Sequence, residues 1–203
     1  MFAGQAGPLE GLWKEPAGPP LGSAVFAHPH PLHGGTLHNK VVFRAARALT
    51  AAGYGTLRFN FRGVGLSGGR NEAGRGEVED FRAALDEAER LGGLPIVAGG
   101  FSFGAAAALR AISGDGRVVA LIAAGLPVAT ESGSNLPRPR VPAILIAGER
   151  DRFGPPALLG DLAGEGTEIV VLPGTDHFFG GKLAELERAI ARFLAALPVA
   201  AAS

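Results

Sequence analysis

Cysteine is missing from all 203 residues, which removes disulfides, thiolate metal sites and a cysteine nucleophile from consideration. An excess of either charge is missing too, since 19 Lys and Arg side chains are matched by 19 Asp and Glu. With no surplus positive potential to gather phosphates, nucleic acid and anionic membranes are not expected partners. No stretch of about 18 or more residues is free of charges and turn formers, so no membrane-spanning helix is expected. Met1 to Glu15 has no basic segment followed by an apolar core, the pattern of a secretory leader. The expectation is a soluble cytoplasmic protein. No internal repeat recurs at a fixed period.

Glycine (32), proline (15) and apolar side chains (47%) are plentiful, and the length suits one domain over residues 1–203 with a real core. Short apolar runs alternate with longer segments of helical period, the pattern of a mostly parallel sheet covered by helices on both faces. Strands are expected at Gly22–Ala27, Gly55–Asn60, Leu94–Gly99, Val118–Ala124, Ala143–Ala147 and Glu168–Leu172, with Leu9–Glu15 pairing at an edge. Leu37, Val41, Ala45, Ala48, Leu49 and Ala52 recur at helical spacing before Gly53, and Val78, Phe81, Leu85, Ala88 and Leu91 before Gly92. Further helices are expected over Phe103–Ile112, around Pro155–Ala163 and over Leu183–Leu197, with a frayed tail from Pro198. Pro16–Pro20, Gly63–Gly76 and Leu126–Pro142 read as loops, none long enough for a second domain.

One junction carries chemistry. The apolar run Leu94–Gly99 feeds Gly100-Phe101-Ser102-Phe103-Gly104, followed by an alanine-rich helical segment. That strand, turn and helix are the context in which a Gly-x-Ser-x-Gly serine projects its hydroxyl above the sheet, the flanking glycines letting strand and helix approach. The free N–H of Phe103, at the helix start, is a natural donor to an oxyanion. A serine hydroxyl is a weak nucleophile that needs a base, and the base needs an orienting carboxylate. Of the five histidines only His177 follows the serine, in a loop between the last strand and the last helix. Asp151, on the loop after Ala143–Ala147, is the candidate acid, with Glu149 and Asp176 as neighbours that could compete and Arg150 and Arg152 as surface partners for it.

These residues resemble the α/β-hydrolase fold family. The resemblance is carried by His28-Pro29-His30-Pro31, Phe59 to Ser67, Gly100 to Gly104, Gly148 to Phe153 and Asp176-His177-Phe178, each at a strand's C-terminal end. The chain is most similar to small lidless bacterial members related to dienelactone hydrolases, where a His-Pro-His-Pro stretch followed by two glycines replaces a His-Gly segment. The resemblance implies a sheet of about seven strands with no cap domain, and Ser102, Asp151 and His177 as nucleophile, acid and base. It also implies a second oxyanion donor from the loop after the first core strand. Pro29 and Pro31 lack an N–H, which leaves His30, the preferred donor, or Leu32. Arg62 reads as a structural hydrogen-bonder rather than a catalyst.

The implied activity is hydrolysis of small ester or related acyl substrates through an acyl-enzyme, without a cofactor or metal, by a monomer or small homo-oligomer. Thioesterase and acyltransferase activities would use the same groups. Leu32, Phe153 and Phe178 are the expected substrate-binding residues, and Phe101, Phe103 and Val128 are further apolar wall candidates. Two other readings compete. His28, His30 and His33 overlap a dinuclear zinc pattern, but Leu32 stands where that pattern needs aspartate, and loop-shaping hydrogen bonds are the preferred role. A non-catalytic binding module on the same fold would have no physical reason to keep Ser102, Asp151 and His177 together. His38 reads as a surface or capping residue. Gly63-x-Gly65 lacks the third glycine and helix start of a dinucleotide site.

Overall fold

The computed structural model describes residues 1–16 and 18–198, so the expected frayed tail lies, beyond Pro198, outside the described residues. The elements in chain order are β1 (Phe2–Gly4), β2 (Gly7–Leu9), β3 (Gly11–Lys14), β4 (Gly22–Ala27), α1 (Lys40–Ala51), β5 (Tyr54–Phe59), α2 (Arg75–Gly92), β6 (Ile96–Phe101), α3 (Phe103–Ala111), β7 (Val118–Ala124), β8 (Ala143–Gly148), α4 (Pro156–Leu159), β9 (Thr167–Leu172) and α5 (Leu183–Ala196). Seven strands form one sheet in the order β3-β5-β4-β6-β7-β8-β9. Only the β3–β5 pair is antiparallel; the edge strand expected within Leu9–Glu15 is β3. The β1–β2 hairpin, with Phe2 opposite Leu9, was not foreseen. The helix expected around Pro155–Ala163 shortens to α4 and a single 3-10 turn over Gly160–Leu162.

Every residue of β4, β6 and β8 is buried, because helices cover both faces of these parallel strands. Alternation then sorts their side chains between two cores. Val25 and Ala27 pack with Phe81, Leu85 and the alanines of α3 on one face. Ala24 and Phe26 pack with Val41, Leu49, Leu186 and Ile190 of α1 and α5 on the other. α1 starts at Lys40 because the Asn39 side chain accepts the Val41 N–H at 2.9 Å. Asn39, not the neighbouring exposed His38, is therefore the cap. β6 begins two residues later than expected and runs to Phe101, which pairs with Ala124 and delivers the chain directly to Ser102.

The loop after β5 is tied down by a buried ion pair. Arg62 Nη2 donates to Asp80 Oδ1 at 2.8 Å and its Nη1 to Glu72 at 2.7 Å, while Asp80 also accepts the Arg62 backbone N–H at 2.9 Å. Those hydrogen bonds hold the guanidinium pKa above the ordinary arginine value, although burial opposes them. Both Arg62 and Asp80 are buried. Removing one partner leaves the other charge buried and unanswered, so Asp80→Ala is expected to lower unfolding free energy by about 3–5 kcal/mol. The denaturant midpoint of the variant checks this; a midpoint equal to the wild type's would show that the pair adds nothing.

Candidate active site

All the residues singled out at strand ends converge on the carboxyl edge of the sheet, where ligands of open α/β sheets bind. The turn after β6 is shaped by contacts that exclude side chains. A Cβ on Gly100 would lie 2.3 Å from the Gly104 carbonyl carbon, and one on Gly104 would lie 2.4 Å from the His28 carbonyl oxygen. Ser102 between them has φ 55° and ψ −119°, a conformation that L-residues rarely adopt. Such a residue costs about 1–3 kcal/mol and persists only where its surroundings enforce it.

The structure brings three of the expected residues into one chain of hydrogen bonds. His177 Nε2 lies 2.9 Å from Ser102 Oγ, and His177 Nδ1 lies 2.8 Å from Asp151 Oδ2 and 3.0 Å from Oδ1. Asp151 is fixed in turn, its Oδ1 accepting the N–H groups of Phe153 at 2.9 Å and Gly154 at 2.8 Å. Neither neighbouring acid touches the imidazole. Glu149 accepts the Gly174 N–H at 2.8 Å, and Asp176 accepts the Phe178 N–H at 3.0 Å. The His177 ring is packed between Phe101 and Phe153, with centroids 5.2 Å and 4.8 Å away.

Beside the serine, the loop after β4 is held by His28, which is fully buried. Its Nε2 accepts the Phe61 N–H at 3.1 Å, so its proton sits on Nδ1, which donates to Pro29 O at 2.6 Å. The other side of that carbonyl is closed by Gly35, where a Cβ would lie 2.0 Å from the oxygen. In a trans peptide the N–H points opposite to the C=O, so pinning the Pro29 carbonyl aims the His30 N–H away from the His28 ring. The Leu32 N–H is already engaged by His30 Nδ1 at 3.2 Å. Among the described residues, the backbone N–H groups of His30 and Phe103 have no acceptor. With both ring nitrogens of His28 engaged by backbone, the residue is a brace and has no lone pair left for a metal. Among the described residues no three His, Asp or Glu side chains are placed to hold an ion.

Ser102 and His177 open on a cleft of about 440 Å³ that Phe101, Phe103, Phe153 and Phe178 also line. Two wall expectations are corrected. Leu32 is 72% exposed and outside the cleft, because successive residues of the tight Pro31–His33 turn point in different directions and it is His33 that faces the cleft, stacked on His30. Val128 is not in the cleft lining and packs, partly buried, against the core on the α2 and α3 face. Thr130, Glu131 and Ser132 line the cleft and were missed; only their place in a long Gly- and Pro-rich loop hinted at a role.

An alpha/beta hydrolase domain model matches residues 23–191. An α/β serine hydrolase homologue from Coxiella burnetii superposes with a TM-score of 0.87 at 38% identity, covering 94% of each chain. A lidless α/β serine hydrolase from Xanthomonas campestris gives 0.87 at 32% identity, covering 97% of this chain and 94% of that one. A protein of Rickettsia prowazekii is 33% identical over 207 residues, covering 95% of this chain and 87% of that protein.

Burial pushes the His28 pKa down to about 4, outweighing the bond to Pro29 that favours its charged form. The unfolded chain therefore takes up a proton between about pH 6.5 and 4 that the folded chain refuses. The stabilisation this gives is complete above pH 6.5 and is lost as pH falls through 4, a change on the order of 3 kcal/mol. His28→Gln keeps a donor and an acceptor but cannot titrate. Urea unfolding at pH 7 and pH 5 is expected to show a smaller loss for the variant; equal losses would remove His28 as the source.

Proposed function

Since this chain belongs to the alpha/beta hydrolase domain family, we propose that it is a serine hydrolase of small esters or related acyl compounds, with Ser102 as nucleophile, His177 as base and Asp151 as orienting acid. The observation that carries this reading is the run of hydrogen bonds from Asp151 through His177 to Ser102, ending in an open cleft. Asp151 accepts the Nδ1 proton of His177, which leaves Nε2 free to accept the serine proton. Ser102 Oγ bonds to the acyl carbon as its proton passes to Nε2. The carbonyl π electrons move to oxygen, and the N–H groups of Phe103 and His30 receive that oxyanion, a contribution of about 3 kcal/mol per donor. The oxyanion collapses, the C–O bond to the leaving alcohol breaks, and His177 returns the proton to it. Water then attacks the acyl carbon with its proton taken by His177, and the bond to Oγ breaks as His177 returns that proton to Ser102, releasing a carboxylic acid.

Phe153 and Phe178, both half-exposed at the mouth, are the walls for the acyl or alcohol portion. A shallow cleft without a cap favours small or exposed esters over deeply buried chains. The fluorophosphonate test is direct: intact mass is expected to rise by one adduct, unaffected by a chelator and abolished in Ser102→Ala. Turnover of a short-chain 4-nitrophenyl ester is expected to fall about 10⁴- to 10⁶-fold in Ser102→Ala and about 10⁴-fold in Asp151→Asn. A folded wild-type protein that forms no adduct and hydrolyses no ester or thioester would overturn the proposal.

A further inference from the structure

The charges around the cleft are one-sided. Glu131 is its only acidic lining residue, and no Lys or Arg lines it among the described residues. Glu131 takes part in no ion pair among the described residues, whereas Arg44, Arg47, Arg82, Arg90, Arg117 and Arg192 are each paired with an acid. The turn that presents it is rigid. Ser134 N–H and Oγ both donate to the Glu131 carbonyl, at 3.1 Å and 2.8 Å, and the Gly133 N–H donates to Thr130 O at 3.0 Å. A Cβ on Gly133 would lie 2.0 Å from Pro127 O, so the turn is pressed onto the preceding loop. From behind, Arg110 of α3 donates to the carbonyls of Ser132 and Ser134, at 2.8 Å each, so this cation clamps the turn's backbone from the α3 side. The exposed rings of Phe153 and Phe178 line the same cleft, and Phe153 adjoins the turn, its carbonyl accepting the Ala129 N–H at 2.9 Å.

A carboxylate carried on a braced turn, together with exposed aromatic faces and no Lys or Arg in the lining among the described residues, is an environment that attracts positive charge. We propose that Glu131 is a specificity determinant that selects esters bearing a cationic, ammonium-type group and disfavours those bearing a carboxylate. This inference rests on the serine-hydrolase reading of the same cleft. The charge lies in a part of the substrate that does not react, so the selection acts on binding and is read in KM rather than in the chemical step.

A pair of substrates that differ only in charge isolates the effect. The 4-nitrophenyl esters of 4-(trimethylammonio)butanoic acid and 5,5-dimethylhexanoic acid have the same shape, a quaternary nitrogen replacing a quaternary carbon. The quantity read is the ratio of their kcat/KM values, in which any common effect on folding or chemistry cancels. Glu131→Gln is expected to lower the cation-to-neutral ratio about fivefold to tenfold, mostly through KM. Raising ionic strength is expected to lower the wild-type ratio in the same direction. Hydrolysis of both esters with a ratio that neither Glu131→Gln nor salt moves would overturn this inference alone. Hydrolysis of neither ester, with no fluorophosphonate adduct, would overturn the hydrolase reading and this inference together.

Discussion

The site depends on one close approach of backbones. Gly100 and Gly104 let β6 and α3 meet without side chains between them, and Gly104 lets the start of α3 press against the carbonyls of Ala27 and His28 at the end of β4. Three elements are thereby locked at one point. Ser102 is forced into its rare conformation, α3 is aimed with its N-terminus toward the cleft, and the loop after β4 is set beside it. The strain at Ser102 is offset by burial, since Phe103 and all the alanines of α3 are inside the core.

Loops beyond strand ends carry backbone groups that need partners, and here polar side chains supply them. Asn60 accepts the Leu37 N–H at 2.8 Å and donates to Glu10 at 2.7 Å, while Ser67 Oγ accepts the Glu10 N–H and donates to the Asn60 carbonyl. His28 joins the β4 loop to Phe61, and Arg62 joins that same β5 loop to α2. No buried side-chain nitrogen or oxygen is left without a partner among the described residues. The shell around the cleft is thus a continuous set of directional bonds, which is what holds reacting groups to within a fraction of an ångström.

Much of this was legible in the residues. The central strands read clearly because burial on both faces makes them continuous apolar runs, and Gly100 to Gly104 read clearly because only glycines fit its contacts. His177 was found by chain order. The acid was less determined, since Glu149, Asp151 and Asp176 all follow strand ends; backbone N–H groups of the local turns decide which carboxylate faces which partner, and no periodicity records that. Leu32 was misplaced for the same reason, because side-chain direction in a tight turn changes with each residue. The role of Thr130 to Ser132 escaped because irregular loops have no period, and their course is set by distant partners such as Arg110.

The sheet order has a further consequence. Ser102 follows β6, the fourth of seven strands and buried throughout, whereas His177 follows β9, an outermost strand bonded to a single neighbour and partly open to solvent. One end of the Ser102–His177 bond is therefore anchored in the last part of the molecule to open and the other in one of the first. Fraying of that edge separates the two groups while the core on the α2 and α3 face, to which β9 contributes no residue, remains intact. Thermal inactivation should then set in below the global melting transition, and amide exchange in β9 should follow its course more closely than exchange in β6.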